Sequence, residues 1–256
     1  MTRLRPRTAA VVVVGALGIV ALVTGGSGAD AQVLPPEPTT TTSTTAPPPP
    51  AEQPPPPPTM KRGDRSGDVE NVQHRLKYLG YDPGAANGVF GRETEFAVFA
   101  FQKTQGVPVT GQVAPEMHRQ MANAAPPPAL APNLGGDRVE VDLGRQLMTI
   151  YRGNAPVIIT TISSGNNRRY CVRRRRCAYA VTPRGTFAIG RTARGWETSP
   201  LGRLYNSAYF YRGFALHGSL SVPLYPASHG CVRVPMHTAA WFQSQLYRGM
   251  PVFVGG

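Results

Sequence analysis

Three hydrophobic patterns succeed one another along the chain. Ala9 to Val23 is an unbroken apolar run of 15 residues, preceded by Arg3, Arg5 and Arg7. From Lys61 to Met121 apolar positions recur at helical spacing. Val69, Val72, Leu76 and Leu79 make one stripe, with Asp68 placed to cap the helix and Gly80 to stop it. Phe96, Phe99 and Ala100 make the buried stripe of a second helix. Pro115 suits the first turn of a third, which carries Met117 and Met121. From Asp137 onward the period changes to two. Val139, Val141 and Leu143 alternate with Glu140 and Asp142, and runs at Leu147 to Tyr151 and Val157 to Ile162 follow short turns. Further strands are expected at Thr186 to Ile189, Ala208 to Tyr211, Phe214 to His217 and Val252 to Val254. A helix is expected at Thr238 to Tyr247. The pattern predicts a small all-α three-helix domain followed by a mainly β sandwich or open barrel with short helices.

Composition divides the chain further. The first apolar run is short of the ~20 residues a bilayer core requires. Small residues follow it and end in Ala29-Asp30-Ala31, so residues 1–31 are expected to be a secretory signal peptide cleaved after Ala31. An uncleaved anchor is the alternative, and then the membrane is met only through this segment. Of 27 prolines, 12 fall between Pro35 and Pro58 beside a threonine run. Residues 32–60 therefore cannot bury apolar area and form a linker. At about 3.1 Å per residue the stretch from Pro35 to Thr59 reaches up to roughly 80 Å. A second proline cluster at 125–135 separates a helical domain at 61–124 from a β domain at 136–256. Of the net charge of +13, nearly all sits in the last segment, which carries 16 basic and 4 acidic groups. A field of that sign favours polyanions. For an exported chain these are cell-wall polymers rather than nucleic acid.

Three cysteines exclude a disulfide-dense scaffold and a four-cysteine zinc site. Cys171 and Cys177 are the natural couple, flanking Val172 and four consecutive arginines. Cys231 is left as a free thiol, a hazard in an oxidising compartment unless it is used. A thiol nucleophile needs a base. His217, at the end of an expected strand 14 residues earlier, is favoured over the nearby His229. The amides of Gly230 and Cys231 are placed to form an oxyanion hole. His74, His118 and His237 are expected at the surface.

Two resemblances follow from these residues. Val72-Gln73, Leu76, Leu79-Gly80-Tyr81, Gly88-Val89-Phe90-Gly91, Thr94 and Phe101-Gln102 resemble the peptidoglycan-binding three-helix domain of bacterial wall enzymes. His217-Gly218-Ser219 followed by Ser228-His229-Gly230-Cys231-Val232-Arg233 resembles the signature of the L,D-transpeptidase catalytic domain. Thr182-Pro183-Arg184-Gly185-Thr186-Phe187 and Arg248-Gly249-Met250-Pro251-Val252-Phe253-Val254 agree with it.

The second resemblance implies that Cys231 attacks the third residue of a peptidoglycan tetrapeptide stem with release of D-alanine. His217 serves as base and acid, and a neighbouring stem amine closes a 3→3 cross-link. Water as acceptor would give L,D-carboxypeptidase activity. The family is also typically acylated by carbapenems at this cysteine. His229 and Gly230 join the catalytic set, and Gly218, Ser219, Ser228 and Arg233 are expected substrate contacts. No cofactor and no metal are required. The chain departs from the family in carrying Arg233 where asparagine is common. An arginine there can pair with a substrate carboxylate or with an internal acid. It also has only ten residues between His217 and Ser228, and the added basic run Arg173, Arg174, Arg175 and Arg176, expected to meet anionic wall polymer. A wall-cutting cysteine peptidase would place its cysteine before its histidine. A non-catalytic wall binder would have no need of the intact motif.

Overall fold

The computed structural model of the chain describes residues 56–172 and 176–256. The expected signal segment, nearly all of the first proline-rich linker, and Arg173 to Arg175 lie outside the described residues. Three helices come first, α1 (Gly67–Tyr78), α2 (Arg92–Gln105) and α3 (Pro115–Asn123). The strands follow as β1 (Arg138–Asp142), β2 (Leu147–Arg152), β3 (Ala155–Thr161), β4 (Arg169–Val172), β5 (Arg176–Tyr179), β6 (Gly185–Ala188), β7 (Arg191–Thr192), β8 (Trp196–Ser199), β9 (Gly202–Tyr211), β10 (Phe214–Gly218) and β11 (Val232–Val234). Helices α4 (Met236–Ala240) and α5 (Phe242–Gln245) then precede β12 (Pro251–Gly255).

The helical segment follows the apolar stripes with two corrections. Ser66, not Asp68, caps α1, its Oγ accepting from the Val69 N–H at 3.2 Å. Asp68 sits in the first turn, where a negative charge faces the positive end of the helix dipole. Phe99 is only half-buried, while Ala97, Val98 and Phe101 are in the core. The stripe is wider than a two-helix contact needs because α2 touches both α1 and β3. Pro115 opens α3 as expected.

The β segment forms two mixed sheets and a separate hairpin. One sheet runs β3-β2-β1-β12-β6, the other β11-β10-β9-β7 with β8 paired to β9, and β4-β5 stands as its own two-stranded pair. Val139, Val141, Ile150, Ala208, Phe210, Leu216, Val232 and Val234 meet in one core, closed by Ala239, Phe242 and Leu246 of the short helices. The expected helix at Thr238 to Tyr247 is two short pieces that break at Trp241, which is 53% exposed. Strand β1 also departs from the alternation, since Glu140 and Asp142 are buried. Each is neutralised locally, Glu140 by Arg138 at 2.7 Å and Asp142 by Arg145.

The helical and β segments share buried contacts. Leu147 and Ile159 of the sheet belong to the helical core cluster, and the Ile159 N–H donates to Gly80 O at 2.7 Å. His237, expected at the surface, is nearly buried in this seam. Its Nε2 lies 3.0 Å from Asp82 O, and its ring stacks on Phe96. Thr238 Oγ1 donates to the Asp82 carboxylate at 2.9 Å. Of the remaining histidines, His74 is exposed beside Glu70, and His118 is half-buried with no partner for Nε2 among the described residues.

Candidate active site

The site is built on two adjacent parallel strands. In β10 and β11, Leu216 faces Val232 and His217 faces Arg233. Paired residues point to the same side of a sheet, and alternation then brings Cys231 to that side as well. Leu216 and Val232 point the other way, into the core. The sequence thus puts its chemistry on one face and its packing on the other. The parallel pairing requires a crossover. The 14-residue step from His217 to Cys231 supplies it.

His217, Cys231 and Arg233 line a cavity of about 760 Å³. His217 is 5% exposed. Its Nδ1 lies 2.9 Å from Gly218 O. Donation there fixes the proton on Nδ1 and leaves Nε2 as the acceptor. Burial lowers its pKa to about 4, with a further push from the Arg233 charge. Burial also raises the Cys231 thiol pKa, against the opposing effects of the Ala215 backbone and Arg233. Burial thus favours the uncharged form of each group, a neutral imidazole and a neutral thiol. Cys231 Sγ meets Gly213 O at 3.9 Å.

Arg233 has no internal acid beside it: no carboxylate among the described residues pairs with it, and burial lowers its pKa. A half-buried guanidinium facing a cavity suits a substrate carboxylate.

The turn before Cys231 is held from several sides. Gly230 has φ +124°, and a Cβ there would come within 2.6 Å of Phe214. Its N–H donates to Ser228 Oγ at 3.0 Å. The expected oxyanion donor is thus engaged and must exchange that partner to serve. Ser228 is 2% exposed and bonded on both sides to the Ser163-to-Asn166 segment. Its contacts are those of a turn anchor at the cavity edge. Gly218, expected as a substrate contact, is not among the residues that line the cavity. It is buried against Ala239 and Tyr205 and acts by holding the His217 ring. Ser219 does line the cavity. His229 also lines it, but its ring meets Tyr170 edge-on at 5.0 Å.

Two residues were missed in the sequence. Thr182 is buried, and its Oγ1 accepts from the Gly165 N–H and donates to Gly230 O, both at 2.8 Å. Its place in the Thr182-to-Phe187 motif was the available signal. Thr182→Val should leave both partners unpaired and cost about 1–3 kcal/mol, read as a lower thermal midpoint with slower acyl transfer. Arg203, stacked over Trp196 at 4.4 Å, lines the cavity from the start of β9. The pair Cys171–Cys177 is disulfide-bonded as expected, and its hairpin forms another side of the cavity.

Comparison with known proteins agrees with this geometry. Residues 136–254 match the L,D-transpeptidase catalytic domain family, and residues 65–121 match a peptidoglycan-binding domain family. A crystal structure of the L,D-transpeptidase of Xylanimonas cellulosilytica (its residues 123–326) is 36% identical. The match covers 79% of this chain and all of that one, with a TM-score of 0.71. A spore cortex-lytic enzyme of Bacillus cereus is 37% identical over 65 residues. That match spans a quarter of either chain. With a mainly β domain following a helical peptidoglycan-binding domain, and likeness to the Xylanimonas enzyme over that structure's whole length, the chain belongs to the L,D-transpeptidase family.

Proposed function

We propose that the protein is a peptidoglycan L,D-transpeptidase that forms 3→3 cross-links through a thioester on Cys231. The observation that carries this reading is the placement of His217, Cys231 and Arg233 on one face of β10–β11, at one cavity. Cys231 Sγ attacks the carbonyl carbon of the third residue of a tetrapeptide stem, and His217 Nε2 takes the thiol proton. As the tetrahedral intermediate collapses, His217 returns that proton to the amine of the terminal D-alanine, which leaves. The side-chain amine of a second stem then attacks the thioester, gives a proton to His217, and displaces the Cys231 thiolate, which takes that proton back. Arg233 pairs with a substrate carboxylate throughout. Water in place of the amine would release a tripeptide.

The helical domain is the natural holder of peptidoglycan, and the place of action is outside the cytoplasm. Residues 1–31 act as the export signal and 32–60 as a spacer. Arg173 to Arg176 bring anionic wall polymer to the catalytic domain. Changing all four to serine should weaken cosedimentation with anionic wall fragments at low salt and not at high salt. Unchanged binding at low salt would remove that role.

Incubation with a disaccharide tetrapeptide, followed by mass spectrometry of products and of the intact protein, tests the main reading. A cross-linked dimer and a tripeptide acyl adduct on the protein are expected. Tripeptide without dimer would make it a carboxypeptidase. No product and no adduct would reduce it to a wall-binding protein.

A further inference from the structure

The β4–β5 hairpin pairs with neither sheet. An isolated two-stranded hairpin is marginal in water, yet this one forms a side of the catalytic cavity through Tyr170, Val172, Cys177 and Ala178. Its register sets Tyr170 opposite Ala178 and Cys171 opposite Cys177. Along β4, Tyr170 and Val172 are half-buried while Arg169 and Cys171 are exposed. Tyr170 and Val172 are therefore turned to the cavity. Arg203 and Arg233 line the same cavity. A peptide stem carries both kinds of surface this arrangement suits, an aliphatic backbone edge and free carboxylates. The Tyr170 ring also touches His229, two residues before the nucleophile.

We propose that this hairpin is a recognition wall for the donor stem, that Tyr170 is its main substrate contact, and that the Cys171–Cys177 bond holds the wall in place. The inference rests on the transpeptidase reading and adds a specificity element to it. An aromatic ring contributes to binding through its large contact area. The disulfide acts by restraining the alternatives open to an otherwise weak hairpin.

Two variants test it, Tyr170→Ala, which keeps the disulfide, and the double change Cys171→Ser with Cys177→Ser. Both should raise KM for the disaccharide tetrapeptide by about tenfold with kcat within about twofold of the original. Tyr170→Phe, which keeps the ring, should restore KM. Alkylation of Cys231 by iodoacetamide, a probe too small to need the wall, should not slow in any variant. Unchanged KM in Tyr170→Ala would overturn the proposal even if the double variant failed to fold. A fall in kcat alone would overturn it too, since that marks a ring acting only through His229.

If the unaltered protein gives no turnover, the transpeptidase reading fails separately. The wall is then read by the ability of the tetrapeptide to shield Cys231 from iodoacetamide. Shielding lost in Tyr170→Ala would sustain it, and no shielding in the unaltered protein would end both.

Discussion

Cys231→Ala is expected to abolish the acyl adduct and to lower product formation by at least about 10⁴-fold, because no other thiol is available to carry a covalent step. His217→Asn should behave differently. Loss of a general base costs about 10²–10⁴-fold, and the remaining thiol still reacts slowly. An adduct that forms slowly in His217→Asn and not at all in Cys231→Ala would separate the two roles. An adduct in Cys231→Ala would overturn the assignment.

The pH dependence follows from the same burial. The His217 pKa is about 4 in the folded chain, against an ordinary histidine value of 6.5. Between those values the unfolded chain binds the extra proton, so His217 keeps its full contribution above pH 6.5. That contribution is lost as pH falls through 4, and amounts to about 3 kcal/mol. Chemical denaturation of His217→Asn against the unaltered protein should show the difference between them moving toward the variant by that amount from pH 7 to pH 4. The buried thiol points the opposite way. Alkylation of Cys231 should keep rising above pH 8, without the plateau near neutrality that a preformed thiolate–imidazolium pair would give.

Local signals made much of the site legible. Period-two alternation suffices to predict β10, and the order His217 before Cys231 suggests a nucleophile with its base. Pro115 and the Val69 stripe suffice for helices. What escaped depends on partners distant in sequence. Glu140 and Asp142 look like the wet side of β1 until Arg138 and Arg145 are seen against them. His237 looks like a surface residue until Asp82, 155 positions away, closes over it. Strands β4, β5, β7 and β8 are only two to four residues long, too short for alternation to announce them. Strand β11 is three residues long and hidden inside the catalytic motif. The hairpin beside the site was visible only as a cysteine couple around an arginine run. Nothing in that pattern says which cavity it borders.

The buried pair on β1 carries the largest stability effect. Arg138 and Glu140 are each 2% exposed at the side chain, with Arg138 Nε donating to Glu140 Oε1 at 2.7 Å. Arg138 Nη1 also donates to Gly136 O and Gly153 O at 3.1 Å, and the guanidinium sits 3.9 Å above the Tyr151 ring. Glu140 Oε2 accepts from the Leu130 N–H at 2.7 Å, tying the second proline-rich segment to the sheet. Glu140→Ala removes the paired carboxylate from a cation that cannot reach water, and should cost about 3–5 kcal/mol. Replacing both residues together, Arg138→Met with Glu140→Leu, leaves no orphaned charge and should recover most of that loss. The lost tie to Leu130 sets the part not recovered. Urea denaturation of the single and double variants gives the coupling directly. A double variant as unstable as the single would mean that the pair's shape and hydrogen bonds, and not its charge balance, hold this edge of the fold.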